Sequence, residues 1–356
     1  MPEARRVAIQ GRRSGRSAFT LSNARWTRAL EAAGYEVSDY RPGAPPPDYL
    51  IHHDFESRFT DFVPPAASRS IAVRTWDFGP LPPAWVELIN GKYQRYWAHT
   101  QWIAAQARAA GVDPARIGLV PHGIDPAVFH ALGPRRELPT EKSFRFLFVG
   151  GVSLRKGSDI LLDAYARAFT RTDDVCLVLK DHSNDLFYRE EHARTRIQLL
   201  RNRPDAPELV HLDEFLPDQD LAALYRSCDV AVFPYRAEGF CIPILEAMAC
   251  GTPAIVPNFG ACLDYCDADS SWLMPVRRVR APVNKSFRVA LGFEEQITEV
   301  DFCEIPVDTL AEFLSTVHRA ALADREAKRQ VGVARAAHWT WDRACEVVLN
   351  ELAQLE

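Results

Sequence analysis

Short apolar runs alternate with longer amphipathic stretches along most of this 356-residue chain, and the alternation narrows the fold to one kind of architecture. Strand-like and helix-like segments follow one another at Arg6 to Gln10, Asn23 to Ala33, Tyr35 to Tyr40, Tyr49 to His53, Ser70 to Thr75, Tyr96 to His99, Gln101 to Ala110 and Ile117 to Val120. Such alternation means a parallel sheet covered by helices. Leu132 to Lys142 has no periodicity, two prolines and five charged residues, the composition of an exposed connection. A second series then runs through Arg145 to Val149, Asp159 to Ala168, Val175 to Leu179, Tyr188 to Leu200, Leu209 to Leu212, Asp218 to Cys228, Val230 to Pro234, Pro243 to Cys250 and Ala254 to Pro257. The expected fold class is α/β, with two Rossmann-like doubly wound parallel-sheet domains and a cleft between them. The expected domains are residues 1–132, a linker at 133–142 and residues 143–339, and a C-terminal helix over about 340–356 is expected to pack back on the first domain. Asp324 to Leu355 reads as a helical pair interrupted around His338 to Asp342.

Composition removes several classes. With 47% hydrophobic and 25% charged residues, the chain is of globular type rather than disordered or fibrous. The N-terminal apolar run is too short for a signal-peptide core, and residues 240–263, although nearly uncharged, are broken by Pro243, Gly251, Pro253, Pro257 and Gly260. No transmembrane segment is expected. The eight cysteines form no paired C-x-x-C set and suit free thiols in a reducing cytoplasm. The net charge of -5 hides a mildly basic first part and an acidic remainder. Arg12, Arg13 and Arg16 share one loop, which reads as a solvated turn or as a contact for an anionic acceptor or a membrane surface. No nucleic-acid motif is present.

The richest chemistry lies in Tyr235 to Pro253, which places Glu238 and Glu246 eight positions apart around a glycine turn and a proline-started helix. Pro243 suits a first helical position and Gly251 the position after the last. A helix N-terminus offers unpaired N–H groups and a positive dipole end, which suit phosphate, while carboxylates beside it can accept sugar hydroxyls. Upstream, Phe146 to Tyr165 reads as a buried strand, a glycine loop and an amphipathic helix. Gly150 and Gly151 let backbone approach a ligand, and Arg155 and Lys156 supply cations suited to a diphosphate. Both loops leave carboxyl ends of strands in one sheet, where open parallel sheets bind ligands.

Together Glu238 to Pro253, Gly150 to Gly157 and Val120 to Phe129 resemble the retaining nucleotide-sugar glycosyltransferases of family 4, of the E-x7-E type and the GT-B architecture. The resemblance spans about residues 70–270. It implies transfer of a sugar from a nucleoside diphosphate sugar to a glycan, lipid-linked or small-molecule acceptor, with anomeric configuration kept and no metal or other cofactor required. It further implies that Glu246 holds the donor ribose and Glu238 the transferred sugar. Gly239, Phe240, Cys241 and Ile242 would offer backbone N–H groups to sugar and phosphate, with Arg155 and Lys156 neutralising the departing diphosphate. Many relatives have an arginine directly after the first loop glycine, where this chain has Gly151. Many also have a histidine in the loop here reading Arg74 to Gly79, which contains none.

Several residues are open to either a site role or a structural one: His52 and His53 at a strand end, Asp54, Asp77, and Lys180 after the strand Val175 to Leu179. His53 and Asp77 are candidates for the catalytic assistance that the missing histidine leaves unfilled. His122 reads as a turn-stabilising residue. Asp267-Ala-Asp269 matches a metal-binding D-x-D but sits in turn-rich sequence, so a turn is the reading kept. A sugar-nucleotide epimerase, a glycan phosphorylase or a catalytically silent donor-fold module are the competing functions.

Overall fold

The computed structural model describes residues 4–15, 17–54, 58–181, 191–282 and 297–355. Arg16 and residues 182–190, the latter including the expected helix start at Tyr188, lie outside the described residues. The chain forms two compact units, one of Met1–Gly123, Arg280–Asp301 and Trp341–Glu356, the other of Ile124–Val279 and Phe302–Thr340.

In the first unit, strands β1 (Arg6–Gln10), β2 (Glu36–Asp39), β3 (Tyr49–His52), β4 (Arg69–Ala72), β5 (Arg95–Ala98) and β6 (Ile117–Leu119) form one sheet in the order β2-β1-β3-β4-β5-β6, with every described pairing parallel. The helices are α1 (Ala18–Ala32), α2 (Pro83–Lys92) and α3 (Gln101–Ala110). Ser17 caps α1 by accepting the Thr20 N–H, so the helix begins five residues earlier than its apolar periodicity suggests.

In the second unit, β7 (Phe144–Gly150), β8 (Val175–Asp181), β9 (Glu208–Leu212), β10 (Val230–Val232), β11 (Ala254–Pro257) and β12 (Ser271–Met274) form a sheet in the order β12-β11-β10-β7-β8-β9, again parallel. The helices are α4 (Ser158–Ala168), α5 (Glu191–Arg201), α6 (Asp218–Arg226), α7 (Ile242–Ala249), α8 (Val307–Arg319) and α9 (Leu322–Ala336); α10 (Trp341–Ala353) belongs to the first unit. A two-stranded ribbon pairs β13 (Arg277–Pro282) with β14 (Glu299–Glu304).

Each unit has its own core. Val7, Ile9, Trp26, Leu30, Ile51, Ile71 and Trp97 pack with Val348 and Leu352 of α10 in the first. Phe146, Phe148, Leu161, Tyr165, Leu177, Leu179, Leu310 and Leu314 pack in the second. β8 is buried at every position, the pattern of a central parallel strand covered on both faces.

Two boundaries differ from the sequence expectation. The first unit's opening segment ends at Gly123 rather than at 132, and it recruits Arg280–Asp301 from far along the chain. Residues 133–142 are not a free connection but part of the second unit: Leu138 is buried, and the Arg136 N–H donates to Ser227 Oγ at 2.6 Å and to Ala223 O at 3.2 Å. Its prolines and charges mark a largely exposed segment that these bonds tie along α6. Among the described residues, no helix is long and apolar enough to cross a membrane.

Candidate functional site

In the second sheet the chain runs outward from β7 through β8 to β9 and returns on the other side of β7 as β10, so the strand order reverses between β7 and β10. The loops leaving the carboxyl ends of those two strands flank the crevice that such a reversal creates. They are Gly151 to Gly157 and Pro234 to Cys241.

Backbone contacts lock the two loops together. The Arg236 N–H donates to Arg155 O at 2.8 Å, and Arg155 Nη1 donates to Ala237 O at 3.1 Å. Arg236 grips Asp159, in the first turn of α4, through two parallel bonds of 2.8 Å. Gly157, at φ +72°, lies so close that a Cβ there would sit 1.9 Å from Pro234 O. Only glycine fits that approach and that backbone conformation.

This joint brings three charged groups together. Glu238 Oε1 is 3.0 Å from Arg155 Nη1 and also pairs with Lys156 Nζ. The Glu238 side chain is 7% exposed, Arg155 16% and Lys156 14%. Burial opposes ionisation of Glu238, but the adjacent Arg155 and Lys156 charges and their hydrogen bonds outweigh it and hold the carboxyl below its ordinary range. Gly150 and Gly151 are buried beside this cluster, and a Cβ on Gly150 would touch Phe148 and approach Lys156 at 3.9 Å.

α7 starts at Ile242 and ends at Ala249, one residue earlier at each end than expected, because Cys241 rather than Ile242 breaks from helical geometry and serves as the N-cap position. Gly251, at φ +78°, ends the helix through the Gly251 N–H to Met248 O (3.0 Å) and the Thr252 N–H to Ala247 O (2.8 Å). Gly239, Phe240, Cys241 and Ile242 are all buried as the backbone turns into the helix. Glu246, on the second turn, accepts a hydrogen bond of 2.9 Å from the Tyr225 hydroxyl. Burial raises its pKa to about 7, with the Tyr225 bond acting against and the Asp218 charge with that shift.

Lys180 is buried at the end of β8, where its ammonium donates to Asp181 O at 2.5 Å and burial lowers its pKa. Neighbouring Asp181, 1% exposed, accepts the Val152 N–H at 3.3 Å and faces His211 Nε2 at 3.4 Å. His211 and Tyr225 escape a reading by motif, because each is tied to the site by contacts across 21 to 30 residues. Asp181, next to Lys180, follows the apolar run Val175 to Leu179, the signal in the sequence that places both at the carboxyl end of the strand.

The candidates from the first unit stand in different surroundings. His53 is 1% exposed, its Nδ1 lies 2.8 Å from Asn23 Oδ1, and its ring packs 5.0 Å from both Phe19 and Trp26 and 5.8 Å from His99. Burial, with the nearby His99, His52 and Arg74, holds its pKa well below the usual value, so it is a neutral interior imidazole. His52 stacks on Phe59 and bonds the Tyr93 hydroxyl at 2.6 Å. His122 packs against His99 with ring centroids 3.9 Å apart and the rings tilted by 30°. Asp77 is partly exposed in the loop after β4, beside Phe78, whose carbonyl accepts the Asp301 N–H at 3.0 Å. Asp267 Oδ1 accepts the Asp269 and Ser270 N–H groups at 3.1 Å each, which makes the D-x-D stretch a turn closed by its own first carboxylate. The eight cysteines are free.

Residues 134–285 match the family model described as "Glycosyl transferases group 1", a span that contains both site loops and all of α7. A curated D-inositol 3-phosphate glycosyltransferase of Segniliparus rotundus is 30% identical over 165 residues, 45% of this chain and 34% of that protein. The chain thus matches about a third of that relative's length. Among solved structures, a sucrose-phosphate synthase from Thermosynechococcus elongatus aligns over 99% of both chains with a TM-score of 0.73 at 15% identity. Anabaena HepE, in complex with UDP and glucose, aligns over 98% of this chain and all of that one with a TM-score of 0.68 at 13% identity. At such identities the likeness establishes the fold: two six-stranded parallel sheets with flanking helices, the GT-B arrangement.

Proposed function

We propose that the chain is a retaining glycosyltransferase of the family 4 type that takes its sugar from a nucleoside diphosphate donor without the aid of a metal or other cofactor. The observation that carries this reading is the cluster of Glu238, Arg155 and Lys156 at the strand-order reversal of the second sheet, with Glu246 on the helix that starts beside it. The relatives named as glycosyltransferases and the presence of UDP in the HepE complex support a nucleotide-sugar donor.

Departure of a nucleoside diphosphate builds negative charge on the phosphates and positive charge on the sugar ring. Arg155, Lys156 and the N–H groups of Gly239 to Ile242 are the groups assigned to the phosphates, and the positive end of α7 adds to them. Glu238, already ionised by its cationic neighbours, is assigned to the sugar, where its negative charge also stabilises a developing oxocarbenium. Glu246, fixed by Tyr225, is assigned to the ribose hydroxyls. Lys180 is assigned to the same donor set. Catalytic assistance from the first unit is assigned to Asp77 before His53, since Asp77 is the more exposed. The acceptor is a glycan, a lipid-linked or a small molecule met in the cytoplasm, with peripheral membrane contact compatible with the reading.

The test follows α-configured UDP-, GDP-, ADP- and dTDP-sugars by proton NMR, with a chelator present and with a panel of acceptors. Transfer, or slow hydrolysis, that first yields the α-anomer supports the reading. A β-product, interconversion of the nucleotide sugar without acceptor, or turnover that demands free phosphate would each replace it with inversion, epimerisation or phosphorolysis respectively.

A further inference from the structure

Cys241 is the sole non-glycine residue with positive φ among the described residues, at φ 67° and ψ 67°. A Cβ makes that left-handed conformation unfavourable by a factor on the order of ten, and cysteine lacks the amide or carboxylate by which asparagine or aspartate offsets it. The surroundings must therefore impose it, and such outliers mark functional loops. Tyr265 supplies the constraint. Its hydroxyl bonds the Phe240 carbonyl and lies 3.1 Å from the Cys241 carbonyl, the two acceptors on either side of the Cys241 N–H. Tyr265 is itself 1% exposed and held in a triangle of rings, 5.4 Å from Phe240 and 5.5 Å from Trp339, with Phe240 and Trp339 5.8 Å apart.

We propose that Tyr265 is a positioning residue for the donor loop: its ring is held by Trp339, and its hydroxyl locks Cys241 in the left-handed conformation and so sets the direction of the N–H groups from Gly239 to Ile242. The proposal rests on the donor-site reading above for what those N–H groups meet. Without the hydroxyl, Cys241 relaxes toward negative φ, and the N–H groups flanking it turn away from their common direction. Glycine at 241 adopts positive φ unaided, so the lock becomes dispensable there.

The test compares wild type, Tyr265→Phe, Cys241→Gly and the double variant by amide hydrogen exchange over residues 239–242 and by titration with UDP, GDP, ADP and dTDP. Tyr265→Phe is expected to exchange faster over those residues and to bind the preferred nucleotide about tenfold more weakly. Cys241→Gly, which keeps the backbone N–H, is the reference for the double variant, and the double variant is expected to recover most of the affinity lost in Tyr265→Phe. A merely structural tyrosine would give no such recovery. Unchanged exchange at 239–242 in Tyr265→Phe overturns the proposal whatever the nucleotides do, as does a double variant no tighter than Tyr265→Phe. Should no nucleotide bind wild type while the exchange responds as expected, the donor-site reading falls and the positioning of Cys241 by Tyr265 stands.

Discussion

Glu238 and Glu246 carry the same carboxyl group in opposite electrostatic surroundings. Glu238 is buried against two cations that keep it ionised, while Glu246 is half-buried beside a phenol and its pKa is pushed up to about 7. For Glu246 the folded-state pKa lies above the unfolded one, so the folded form binds the proton more tightly, and its contribution to stability is full below pH 4.5 and lost as pH rises through 7. Glu246→Gln removes this dependence. The melting point of Glu246→Gln relative to wild type is therefore expected to rise by several degrees between pH 5 and pH 8, and a constant difference across that range would contradict the assigned environment. The sequence made both carboxylates legible as a pair, because glycine, proline and spacing fix a loop followed by a helix start. It did not reveal that Tyr225 would bond one of them, since α6 meets α7 only in the folded unit. His53 was legible as a strand-end residue, but the ring packing that buries it beside Phe19 and Trp26 follows from the chain turning at Gly11, where a Cβ would lie 2.0 Å from His53 O.

At the scale of elements, the site depends on two strand-to-helix loops held in contact. Gly157 is the closest point of that contact. Gly157→Ala forces a Cβ against Pro234 O in a left-handed conformation, at a cost of about 2–4 kcal/mol from strain and displacement together. The expected result is a lower melting point together with weakened nucleotide binding, because Arg155 and Lys156 move away from Glu238. A variant with wild-type stability and affinity would show that the loops do not need this approach. The alternation of apolar runs located β7, β8, β10 and β11 well because buried parallel strands are apolar throughout. Elements that lack a fully buried apolar run went unseen: β13 has three arginines among its six residues, β12 is only half-buried at its two middle positions, and the Pro82-Pro83 pair reads as a loop although Pro83 begins α2.

For the whole molecule, α10 closes the first unit's core with Val348 and Leu352, and Glu351 Oε2 accepts the Trp97 indole N–H at 3.0 Å. A Cβ on Gly118 would meet that carboxylate at 2.4 Å, so β6 is shaped to receive the helix. Deleting residues 341–356 uncovers several fully buried side chains at about 1.5–3 kcal/mol each. Calorimetry is expected to show the first unit's transition lost or lowered by more than 10 °C, and an unchanged thermogram would contradict this role. On the function proposed above, the second unit grips a nucleoside diphosphate through Arg155, Lys156 and Glu246. Calorimetric titration of wild type and Lys156→Ala with UDP, GDP, ADP and dTDP measures it most directly. One nucleotide is expected to bind wild type at a single site and to lose at least tenfold in affinity in Lys156→Ala; four nucleotides that fail to bind wild type at millimolar concentration, or one that binds both proteins equally, would contradict it.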